Sequence, residues 1–281
     1  MAEQSELILG VAGNFAGHLE QAGEAADFVD VQVAENLPKG LFPIFVPGLD
    51  HRLGGWPCSS DRLILPPTTT NVQPEPEIAL RCRLEYDTVD GAPDRVASLV
   101  PYAFTAADDT SLRQPAQKIH EKKNWGPHSK GLSTSWIAID RFDGEGVLAQ
   151  FRLASFLIRG GTIHAYGEDS RVDDYTTKYQ TLVHWMIDRL RHQPDEGPLD
   201  DIPSLVRQAR HPQQAIFFIG ATRYTTFGEQ TFVQPDDEVI IVAYDARRHD
   251  ADAVRDAVAH HRPLTAASVL RRRVLPAAAR A

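Results

Sequence analysis

The sequence predicts an α+β protein that is mostly β, with a few peripheral helices. Three observations carry this expectation. Between residues 77 and 85, Ile78, Leu80, Cys82 and Leu84 alternate with Arg81, Arg83 and Glu85, the period of two that separates the faces of a sheet. Further apolar runs of strand length recur at 97–106, 133–141, 150–158, 215–220 and 238–243. Helical spacing is confined to two stretches, too few for the regular strand–helix alternation of a doubly wound sheet.

Taken in order, residues 6–12 (ELILGVA) read as a short strand and 14–22 as a loop leading into a short helix. Residues 41–46 (LFPIFV) read as a strand that Pro43, having no amide to donate, confines to an edge or a bulge. After Asp173 and Asp174, which suit the positive end of a helix, Tyr175, Tyr179, Leu182, Met186 and Leu190 recur at helical spacing, giving a helix over about 174–190. A second helix is expected from about 250 to 260. Arg271, Arg272 and Arg273, beside an Ala-rich end, read as a solvated helix end or a flexible tail, so that 246–281 forms a C-terminal helical or flexible extension. With no internal repeat and no Pro/Gly-rich linker, a single domain over 1–281 is expected.

Composition narrows the function classes. At 281 residues and 42% hydrophobic content the chain can build a full-size core without staples. Its two cysteines, Cys58 and Cys82, make no disulfide framework or zinc spacing, which points to a reducing cytoplasm. The beginning of the sequence has no basic, apolar leader pattern, and no run approaches the ~20 apolar residues of a membrane span. A formal charge of -9 argues against a nucleic-acid partner, which would need clustered Lys and Arg.

The residues that point to chemistry are acidic. Glu75 and Glu77 are two apart at the start of the clearest strand, so in extended backbone both carboxylates share the face opposite Ile78, Leu80 and Cys82. Two such carboxylates and a third from elsewhere, for which Asp109 is the candidate, form a half-shell suited to a hard divalent cation. On spacing alone, the pair reads more simply as the wet decoration of an edge strand flanked by Pro74 and Pro76.

The order of several motifs changes that balance. PEPEIAL (74–80) resembles the E-x-E strand of the fumarylacetoacetate hydrolase superfamily, and ADDTSLR (107–113) resembles its N-D-x-S-x-R loop some thirty residues later. GNFAGH (13–18) is similar to the family's N-Y-x-D-H segment, and ILPP (64–67) to its pre-strand proline. KIHEKKNWGPHSKG (118–131) resembles its lysine-bearing stretch, and IFFIGAT (216–222) followed by QPDDEVIIV (234–242) its T-G-T segment and G-D-x-V strand. The resemblance spans about 10–245 and identifies the chain as a divergent member. It implies the family's mixed β-roll, a homodimer, and Mg²⁺ or Mn²⁺ held by Glu75, Glu77 and Asp109.

The resemblance also implies a metal-dependent hydrolase or lyase of a small 2-oxo acid substrate, working through a stabilised enolate; the alternative is an inactive protein of the same fold that binds a metabolite or partner. His18 is the implied general base or proton shuttle. Lys122 or Lys123 would neutralise oxyanion charge, the register being open between them, while Arg113 and Thr222 are the implied substrate-binding residues. Three departures stand out. Asp108 replaces the family's Asn, leaving Asp108 and Asp109 as alternatives with the register favouring Asp109. I-G-A-T replaces T-G-T-P. Gln21 stands where some members carry the Glu of a His-x-x-Glu dyad, which breaks the dyad if that register holds. His120, His128, His164 and His184 follow no ligand spacing.

Overall fold

The computed structural model describes residues 6–28, 31, 34 and 36–277. Its architecture is mostly β, as the periodicities predict. An eight-stranded mixed sheet runs in the order Gly40–Phe45, Leu7–Ala12, Gln214–Phe218, Pro76–Val89, Ala92–Asp108, Lys130–Leu132 and Cys58–Ser59, with Ile137–Ala138 pairing beside Ala92–Asp108. A five-stranded sheet follows the order Thr162–Arg171, Phe151–Arg159, Glu238–Asp245, Ala267–Leu275 and Arg62–Ile64. A two-stranded ribbon, Val72–Gln73 with Ser111–Leu112, lies apart from both.

The alternating row Ile78, Leu80, Cys82 and Leu84 is buried in the main core with Phe104, Phe151, Leu153, Ile241 and Leu270, which come from both large sheets. Phe104 and Phe151 meet edge to face with centroids 4.9 Å apart. Each such fully buried side chain contributes about 2 kcal/mol. Pro43 lies in an outermost strand opposite Leu9, beside a register shift at Ile8/Leu9, as a residue without an amide requires. The helix Tyr179–His192 buries Leu182, Met186 and Leu190 together with Trp185, and Asp250 caps Ala251–Ala259 by accepting the Ala253 amide at 2.8 Å.

Three expectations need correction. Only Ile137–Ala138 of the expected strand 133–141 pairs. The Ser133 hydroxyl instead donates to the Val269 carbonyl and accepts from the Ser135 amide, local bonding that competes with a ladder. The long helix begins at Tyr179, not at 174. Asp173 and Asp174 sit in a 3₁₀ turn, where Asp173 binds the Lys178 ammonium and the Tyr179 hydroxyl and leaves the helix uncapped by a side chain. The expected C-terminal extension is also built into the fold: Ala267–Leu275 is an interior strand of the second sheet. Its inward row is Ser268, Leu270, Arg272 and Val274, while Arg271 and Arg273 turn outward to Glu238 and Asp236. The strand Thr162–Arg171 was not anticipated either.

Candidate metal centre

Glu77 lies in the strand Pro76–Val89 and Glu75 immediately before it, while Asp109 follows the last residue of Ala92–Asp108. Pairing of Pro76 with Asp108 brings the start of one strand against the end of the other. The Asp109 amide then donates to the Glu75 carbonyl at 3.0 Å. One carboxylate oxygen from each of Glu75, Glu77 and Asp109 lies within 4.8 Å of the others, and all three side chains are buried. The other aspartate, Asp108, faces away: its oxygens take the Glu75 amide at 3.0 Å and the Arg272 guanidinium at 2.7 Å.

Cations brace this cluster unevenly. Lys123 Nζ sits 2.6 Å from Glu75 Oε2 and 2.7 Å from Asp109 Oδ2, and Lys130 Nζ lies 3.0 Å from Asp109 Oδ1. Arg113 reaches Glu75 Oε1 at 2.8 Å. Glu77 accepts the Gly220 amide at 2.8 Å and has no ion pair among the described residues. Among the described residues, Glu75 Oε1 and both Asp109 oxygens are buried and meet these cations without a well-aligned hydrogen bond.

Electrostatics separate the three carboxylates. Burial and the charges of Asp109 and Glu75 push Glu77 well above the usual carboxylate range. Burial likewise raises Asp109 in spite of Lys123 and Lys130. For Glu75, burial is outweighed by Lys123 and Arg113, which hold it low. Lys123 is raised because Asp109 and Glu75 overcome its desolvation, whereas desolvation prevails at Lys130 and lowers it.

His18 projects from the short helix His18–Gln21, and its Nδ1 lies 2.9 Å from the Thr222 carbonyl. A carbonyl only accepts, so Nδ1 carries the proton and Nε2 keeps a lone pair. Burial lowers its pKa, leaving the imidazole neutral near pH 7. A narrow cavity of about 20 Å³, room for one water, is lined by His18, Glu75, Glu77, Asp109 and Lys123, with Leu19, Phe28, Phe42 and Ile119 among its apolar walls.

The structure therefore brings His18, Lys123, Glu75, Glu77 and Asp109 to one cavity, and three other expected residues do not line it. Lys122, on another face of its one-turn helix, binds Asp27 at 2.8 Å and Glu24 at 3.1 Å. Every part of the Arg113 guanidinium is engaged, by Glu24, Gln73, Glu75 and Tyr224. Thr222 spends its hydroxyl on the Pro76 carbonyl at 3.4 Å and its own carbonyl on His18. Gln21 clips the Tyr224 backbone, accepting its amide at 2.9 Å and donating to its carbonyl at 3.2 Å. None of His120, His128, His164 and His184 lines the cavity. Sequence reasoning missed Lys130 and Glu24. Lys130 lay within the lysine-bearing stretch, next to its terminal glycine, whereas nothing in the sequence distinguishes Glu24.

Comparison with known proteins bears on the fold. Cg1458, solved with an inhibitor, is 16% identical, with a TM-score of 0.56 over 97% of this chain and 77% of that one. A 5-carboxymethyl-2-hydroxymuconate delta-isomerase from Mycobacterium smegmatis is 14% identical, with a TM-score of 0.55 over 98% and 80%. A fumarylacetoacetate hydrolase family protein from Yersinia pestis CO92 is 15% identical, with a TM-score of 0.53 over 98% and 95%. At these identities the likeness shows a shared fold, the expected mixed β-roll. No match to a curated protein was found. The family model described as a family of unknown function (DUF5718) matches residues 24–274, leaving His18 and Gln21 outside the match. The chain thus has the fumarylacetoacetate hydrolase fold and belongs to the DUF5718 family.

Proposed function

We propose that the protein is a Mg²⁺- or Mn²⁺-dependent hydrolase or lyase of a small 2-oxo acid. The observation that carries this reading is the cluster of three buried carboxylates, Glu75, Glu77 and Asp109, with one oxygen of each within 4.8 Å of the others. An all-oxygen donor set of this kind suits a hard cation. Similarity of fold to a 2-keto-3-deoxy-D-arabinonate dehydratase, complexed with magnesium and 2,5-dioxopentanoate, supports the same chemistry at 13% identity, with a TM-score of 0.51 over 96% of this chain and 73% of that one.

Glu75, Glu77 and Asp109 would hold the cation, which when bound supplies Lewis-acid stabilisation of a developing enolate. His18 Nε2 is the base, taking a proton from substrate or water and returning it, because its Nδ1 is committed to Thr222. Lys123, between Glu75 and Asp109, neutralises negative charge that develops beside them. Arg113 orients Glu75. The apolar walls leave room for little water, which strengthens each of these interactions.

A second reading, an inactive protein of the same fold that binds a metabolite or partner, draws on Lys123, whose ammonium already bridges two of the carboxylates, and on the clipped Gln21. Turnover of oxaloacetate or an acylpyruvate, compared with a Glu77→Ala control, separates the two, and calorimetric titration of Mg²⁺ and Mn²⁺ into metal-free protein, with and without oxalate, tests the metal on which the first depends. Binding strengthened by oxalate and lost in Glu77→Ala and Asp109→Ala is the expected result. Absence of binding by the unaltered protein, or undiminished binding in both variants, overturns the enzyme reading.

A further inference from the structure

The buried pair Asp108–Arg272 has no part in the chemistry proposed above, yet it touches the backbone of the carboxylate cluster. Both side chains are wholly inaccessible, with Arg272 Nη1 2.7 Å from Asp108 Oδ2. The other Asp108 oxygen accepts the Glu75 amide at 3.0 Å, and the Asp109 amide donates to the Glu75 carbonyl at 3.0 Å. Glu75, Asp108 and Asp109 are thereby tied in a ring of hydrogen bonds whose single side-chain corner is Asp108.

Arg272 anchors that corner to the rest of the molecule. Its Nη1 also reaches the Thr110 hydroxyl at 3.2 Å, Nη2 donates to the His128 carbonyl at 2.7 Å, and Nε donates to the Arg62 carbonyl at 3.1 Å. One rigid planar fork therefore joins two separate segments, at residues 62 and 128, to the loop carrying Asp109. Gly131 leaves the space for it: a Cβ there would lie 2.8 Å from both Arg272 Cδ and Asp108 Cβ. Four residues back along the same strand, Ser268 pins the adjacent part of the strand Ala92–Asp108 through Thr105 at 2.8 Å and the Ala106 amide at 3.0 Å. A buried ion pair is often no more stabilising than apolar side chains of equal volume, because desolvation offsets the attraction. What apolar side chains cannot reproduce is a directional link between segments.

We infer that Arg272, acting through Asp108, is a positioning residue that fixes Glu75 relative to Asp109 and so sets the affinity of the carboxylate cluster for a divalent cation. The inference rests on the metal reading above, and two measurements keep the two ideas distinguishable. Arg272→Met strands a buried carboxylate and risks misfolding, so the informative variant is the double Asp108→Asn/Arg272→Met. It removes both charges and keeps an oxygen for the Glu75 amide, but loses the anchor to residues 62 and 128.

This double variant is expected to melt cooperatively near the parent temperature while its Mn²⁺ affinity, measured by calorimetry, falls by about tenfold to a hundredfold, the usual cost of removing a residue that orients a metal ligand. In metal-free protein, amide hydrogen exchange at Glu75 and Asp109 is expected to lose protection. A folded double variant with parental Mn²⁺ affinity overturns the inference. If the parent binds no Mn²⁺, the metal reading fails, and unchanged exchange protection at those two amides then overturns the positioning role as well.

Discussion

Glu77 is the carboxylate whose charge the protein leaves unbalanced, so Glu77→Gln should move stability in opposite directions with and without metal. Glu75 and Asp109 are neutralised by ammonium groups at 2.6–3.0 Å, whereas among the described residues Glu77 has only the Gly220 amide and lies within 4.8 Å of both other carboxylates. Two unit charges at that separation repel by roughly 3.5 kcal/mol at an effective dielectric constant of about 20, a ceiling that the neighbouring lysines reduce to about 1–2 kcal/mol. The amide oxygen of the variant still accepts from Gly220. Because the folded-state pKa of Glu77 is raised, the stability of its protonated form is present at low pH and lost as pH rises through that value. Metal-free Glu77→Gln should therefore melt about 3–6 °C above the parent at pH 8, with the difference shrinking towards pH 5. With Mn²⁺ at about a hundred times its Kd the parent should gain about 2.7 kcal/mol, and the variant should gain little. Differential scanning calorimetry at both pH values, with Mn²⁺ and with chelator, reads all four states. A metal-free variant less stable than the parent at pH 8, or an equal Mn²⁺-dependent gain in both proteins, would refute this account.

Other consequences follow from the same geometry. Divalent-cation affinity should rise with pH as Glu77 and Asp109, both raised by burial, lose their protons; calorimetric affinities that are flat between pH 5 and 8 would contradict it. His18→Ala should lower turnover of an acylpyruvate or oxaloacetate by about a hundredfold to ten-thousandfold while leaving Mn²⁺ affinity unchanged, a separation that steady-state kinetics and calorimetry test together. Gln21→Glu should destabilise the protein by about 1–3 kcal/mol instead of supplying a water-activating dyad, because a carboxylate cannot donate to the Tyr224 carbonyl. An unchanged melting temperature would show that the clip is not as described.

How much of this was legible in the sequence depended on whether a residue's partner was close along the chain. The alternation from Ile78 to Leu84, the edge position forced by Pro43 and the helix expected from about 250 to 260 are local signals, and all three reappear in the structure. Glu75, Glu77 and Asp109 were legible through the order and spacing of motifs, since neither half of the cluster is distinctive alone. The choice between Lys122 and Lys123 was not legible, because adjacent residues on a short helix diverge by about 100° and only the surroundings select one. Glu24 and Lys130 acquire their settings from segments remote in sequence.

Arg272 shows why charge misleads when it is read without a partner. Leu270, Arg272 and Val274 keep the period of an inward strand face, but an arginine triplet beside an Ala-rich end reads as solvated because an unpaired guanidinium is too costly to bury. The compensating residue, Asp108, was visible as the departure from the family's asparagine. The two anomalies answer each other: an acidic residue stands where the resemblance implies a neutral one, next to a candidate metal ligand, and a buried cation 164 residues later meets it. A departure from a motif and an apparently misplaced charge are therefore better examined as a pair, since the low dielectric of a core makes either one alone untenable.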